Sequence, residues 1–101
     1  MFEALDGPSS QGKLTVTNST VVEAKVGGSA FEGRKVLTLQ GDGRFYVYFA
    51  NEGEVPNAAT VSSNGFVQFR NAKESYEAAE TQAVYLLALS GSVDVVIAER
   101  A

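Results

Sequence analysis

From residue 13 to residue 98, apolar and polar side chains alternate in short runs with a two-residue period, the signature of strands whose successive side chains point to opposite faces. The runs fall at 13–17, 20–26, 34–40, 44–50, 65–69, 83–89 and 92–98 and are rich in Val, Thr, Phe and Tyr. Turn chemistry separates them at Gly27-Gly28, Gly41-Asp42-Gly43, Asn51-Glu52-Gly53, Asn64-Gly65 and Ser90-Gly91. This rhythm predicts an all-β domain, an antiparallel β-sandwich or jelly-roll-like barrel of about seven to eight strands.

Some of these runs are apolar on both faces. In 44–50, Phe45, Val47 and Phe49 share one face while Tyr46, Tyr48 and Ala50 share the other. Such a strand lies inside a stacked core or offers one face to a partner, which makes Tyr46 and Tyr48 candidate interface residues. Two hairpins are expected, one turning at Gly41-Asp42-Gly43 and one at Ser90-Gly91, and their four strands should form the centre of the fold. Residues 71–82 read equally well as helix or strand. Asn71-Ala72-Lys73-Glu74 resembles a capping box with Ala72, Tyr76 and Ala79 on one side, whereas Ser75-Tyr76-Glu77 sits within a run of strands.

Residues 1–12 read as a flexible arm ahead of a single β domain, 13–101, because the stretch from Asp6 to Gly12 is turn and linker chemistry. Phe2 and Leu5 are the apolar points of that arm and are candidates for docking on a neighbouring subunit, the arm being expected to order on assembly.

The chain has 101 residues, enough for one core without metal or disulfide staples. It contains neither cysteine nor histidine, so thiol nucleophiles, thiolate metal sites and the commonest neutral-pH base are missing. Asp42, Glu52 and Glu54 lie in neighbouring loops but lack the ligand alternation of a calcium loop and read as turn carboxylates. Gly41-Asp42-Gly43 is followed by a strand and has Tyr46 where a dinucleotide loop has its third glycine. No catalytic residue, cofactor or metal is expected. With a net charge of -4 and scattered cations, nucleic acid is an unsuitable partner. No apolar run has the length of a membrane helix, and the start does not have the form of a cleaved signal.

The ordered residues resemble small all-β virion proteins of tailed bacteriophages, of the capsid decoration or cement type. The resemblance is carried by the run from Gly33 to Gln40, by Val47-Tyr48-Phe49, by Asn64-Gly65-Phe66, and above all by Val84-Tyr85-Leu86-Leu87-Ala88 leading through Ser90-Gly91-Ser92 to the run ending at Glu99. It spans residues 13–99 and implies strand for 75–79. It further implies a non-enzymatic protein made in the host cytoplasm and carried on the capsid surface, where copies bridge major capsid protein subunits, in a homo-oligomer such as a trimer. A neck or tail position in the same particle, or a carbohydrate-binding β module using Tyr46 or Tyr48, are the alternative expectations.

Overall fold

Alternating strands with a buried face must find a second apolar layer, and here two four-stranded sheets supply it for each other. The computed structural model describes residues 9–101. Among them the elements are β1 (Ser9–Thr17), β2 (Val22–Glu23), β3 (Val36–Gly41), β4 (Phe45–Phe49), α1 (Ala58–Asn64), β5 (Phe66–Gln68), β6 (Lys73–Glu77), β7 (Val84–Ala88) and β8 (Ser92–Arg100). One sheet has the order β1-β8-β3-β6 and the other β2-β7-β4-β5, with antiparallel pairing throughout. Every connection except β4 to β5 crosses from one sheet to the other. This winding is a jelly roll, or double-stranded β-helix.

The expected all-β class holds, and the four strands expected at the centre do occupy the middle of both sheets. The hairpins do not form. β3 and β4 lie in opposite sheets, as do β7 and β8, so Gly41-Asp42-Gly43 and Ser90-Gly91 are corners between layers. The glycines at the first corner answer a packing need. A Cβ on Gly41 would lie 2.7 Å from the Phe45 ring, and one on Gly43 would lie 2.9 Å from the Val93 side chain. What looks like a two-residue turn signal is thus the space that two core side chains occupy.

Leu37 and Leu39 of β3, Phe45 and Val47 of β4, Val84 and Leu86 of β7, and Val93, Val95 and Ile97 of β8 fill the interior. The second apolar face of β7 carries Leu87, which points away from that interior and is nevertheless 3% exposed. Helix α1 packs on β4 and β7 and buries Val61, so it forms the outer layer on that side. The sequence pattern contains no signal for this helix. Its start is fixed by the Asn57 side chain, which accepts a hydrogen bond from the Thr60 amide at 2.8 Å. Its end is fixed by Gly65, where a Cβ would lie 2.6 Å from the Val61 carbonyl oxygen and 3.0 Å from that of Val47.

Two further boundaries differ from expectation, and one open reading is decided. β1 begins at Ser9, so residues 9–12, read as part of an arm, are strand and pair with Ile97 to Arg100 of β8. The cause is non-local: β8 supplies nine residues of partner strand, and Gly12 admits the Val26 side chain 2.9 Å from where a Cβ would stand. Phe2 and Leu5 lie outside the described residues. Residues 20–26 contribute only the short β2. In the ambiguous stretch 71–82, Lys73–Glu77 is strand, since β3 presents a free edge onto which Leu37 pairs with Tyr76.

Candidate functional site

Tyr46 and Tyr48, expected at a partner interface, lie side by side in sequence alternation on the outer face of β4, where Tyr46 is opposite Leu87 and Tyr48 opposite Tyr85. That is the face on which α1 packs, and both rings are half-buried. The Tyr48 hydroxyl donates to Glu54 at 2.8 Å, and Glu54 also accepts from the Asn51 amide at 2.9 Å. That hydrogen bond, with burial and the Glu54 charge adding to it, raises the Tyr48 pKa. Much of the apolar excess of residues 44–50 is therefore met by the chain's own helix and loop. Asp42 is likewise committed to a corner, its Oδ1 accepting from the Asp94 amide at 2.9 Å. No group of three or more potential metal ligands occurs among the described residues.

Phe49 of β4, Phe66 of β5 and Tyr76 of β6 close the side of the sandwich where the two sheet edges meet. Phe49 lies edge-on to Phe66 at 5.9 Å and to Tyr76 at 5.7 Å between ring centres. The Tyr76 hydroxyl donates to Gln68 Oε1 at 2.8 Å, and the Gln68 amide donates to the carbonyls of Leu39 and Ala72 at 2.8 and 2.9 Å. Gln68 thereby ties β5 to β3 across the gap. Burial, with a smaller contribution from the Glu74 charge, pushes the Tyr76 hydroxyl up to about 12. The folded state holds this proton more tightly than the unfolded chain. Its contribution to stability is present below the ordinary value of 10.0 and is lost as the pH rises through about 12. Urea unfolding at increasing pH should show a decline over that interval that is smaller in Tyr76→Phe; an identical decline in the variant would remove Tyr76 as its source.

A polar concavity lies elsewhere, on the outer face of the β1-β8-β3-β6 sheet. It has a volume of about 440 Å³ and takes side chains from all four strands. Register explains its shape. One row across the sheet reads Lys13, Val96, Gln40, Lys73, and the next reads Gln11, Ala98, Thr38, Ser75. Short side chains in the second row make a trough, and the longer ones of the first row make a wall. The Thr38 and Ser75 hydroxyls hydrogen-bond each other at 2.8 Å on its floor. Arg100 lines the opposite side. None of these residues stands out in the sequence. The alternation that places Thr38 and Gln40 outward is legible there, but which strands lie beside β3 is not.

No family model and no curated protein matches the chain. Among solved structures it is similar to a de novo designed double-stranded β-helix determined by solution NMR, at 17% identity and a TM-score of 0.58, covering 90% of this chain and 99% of that one. That likeness shows the fold.

Proposed function

We propose that this chain is a non-enzymatic structural protein of a bacteriophage virion that decorates the capsid and cements it by bridging major capsid protein subunits. The observation that carries the reading is where the resemblance falls. Its most telling runs are β7 and β8, and it takes in β3 and β4 as well; these are the inner four strands of a jelly roll, an architecture shared by viral capsid and lectin domains. The reading is also supported by how the carboxylates of the loops are used: Asp42 and Glu54 hold turn backbone. Repetition over a lattice makes modest contacts collectively strong, above all if the protein is itself oligomeric on a symmetry axis.

Mass spectrometry and electron microscopy of purified virions test this. The chain is expected on the head surface in hundreds of copies. A dozen copies or fewer at the neck would assign it to the connector or tail, and absence from the particle would sink the reading. For a sugar-binding module the tyrosines would have to form an open platform, whereas the face that carries Tyr46 and Tyr48 is the one packed by α1.

A further inference from the structure

We infer that the trough on the outer face of the β1-β8-β3-β6 sheet is the docking site for an acidic, extended segment of the protein partner. Lys13 and Lys73 stand at the two ends of one cross-strand row, three strand spacings or about 14 Å apart. Both are exposed, and neither has an ion pair among the described residues. The outward charged residues of these four strands are Lys13, Lys73 and Arg100 against Asp94 and Glu77, so this face is cationic on balance in a chain whose net charge is -4. An acidic ligand is steered to that depression and away from the rest of the surface.

The floor selects a peptide. Ala98, Thr38 and Ser75 are short, so a main chain can approach closely, and hydroxyl and amide side chains such as Ser10, Gln11 and Thr38 present both donors and acceptors to peptide groups. Val96, 40% exposed beside them, gives an apolar contact. Among the described residues no aromatic ring lines the trough on which a sugar face can stack. The trough crosses the strands, so the segment lies over the sheet and does not extend it as an added edge strand.

The naming of the partner rests on the capsid reading, so two assays keep the ideas apart. In the first, ¹⁵N-labelled protein is titrated with an octaglutamate peptide, with an octalysine control and with oligogalacturonate of matched charge. Octaglutamate should shift the amides of Gln11, Thr38, Ser75 and Ala98, the response should fall as salt rises, and Lys13→Glu/Lys73→Glu should weaken it at least tenfold with an unchanged fold by NMR. Shifts scattered over the surface, or a stronger response to oligogalacturonate, would overturn the inference whatever the virion contains. In the second, wild-type and doubly reversed protein are added to heads stripped of the chain. Loss of decoration by the variant alone supports the trough, and equal decoration by both overturns it. Failure of the wild-type protein to bind heads, with the peptide response intact, counts against the capsid reading and not against an acidic ligand.

Discussion

Replacing Arg34 by Met is expected to remove about 3–5 kcal/mol of stability, the usual consequence of taking one partner from a buried ion pair. Arg34 is 2% exposed and Glu99 1% exposed, and they meet at 2.9 Å. All the donor nitrogens of the guanidinium are used. Nε donates to Ala78 O, Nη1 to Ala24 O and Glu99 Oε2, and Nη2 to Ala79 O and Gln82 O. Glu99 in turn accepts from the amides of Val26 and Phe31, each at 3.0 Å. One side chain thus ties the segment after β2, the segment between β6 and β7, and the end of β8. Met preserves the apolar stem but strands a buried carboxylate and four carbonyls. A domain of this size has a total stability of only about 5–15 kcal/mol, so the variant should unfold at far lower urea concentration. Arg34→Met combined with Glu99→Gln should recover part of the loss, since the uncompensated charge is then gone. A loss below about 1 kcal/mol in the single variant would show that the pair is not the tie described.

The second large loss is expected at Phe45. Its ring is fully buried between the sheets, against the corner at Gly41, and Phe45→Ala should cost about 3–5 kcal/mol through lost transfer energy and the cavity left behind. Tyr46→Ala, one residue along and half-buried on the other face, should cost markedly less. Chemical denaturation of both variants checks the contrast. Equal losses would mean that the α1 side of β4 is as much a core as the interior, and the distinction drawn between the two layers would fall.

Much of this fold was legible because alternation is a local property. Val36 to Gln40 and Ser92 to Ala98 declare their inward and outward residues without reference to anything else in the chain, and the four strands expected at the centre are the four that lie centrally. Sequence does not separate hairpins from corners, because a glycine-rich corner that turns a chain back within a sheet and one that carries it to the opposite sheet have the same composition. Only the packing of Phe45 and Val93 distinguishes them. Helix α1 was invisible for a related reason: Ala58–Asn64 is too short and too weakly patterned to form alone, and it exists because Leu87 and the outer face of β4 need a cover.

The candidate site was less legible still. Lys13 and Lys73 are separated by the whole of the intervening fold, and nothing local marks either as more than a solvated charge. Arg34 and Glu99 are equally unremarkable as letters, although together they are the most fully satisfied ionic contact among the described residues. Sequence alone determined the all-β class, the inward and outward faces of the main strands and the want of a histidine or cysteine for chemistry, since each depends on residue type or near-neighbour spacing. The tertiary structure alone decided the jelly-roll winding, the extension of β1 back to Ser9, the helix over β4 and the trough. These depend on which strands lie side by side, and cross-strand register is set by burial summed over both sheets and by no single segment.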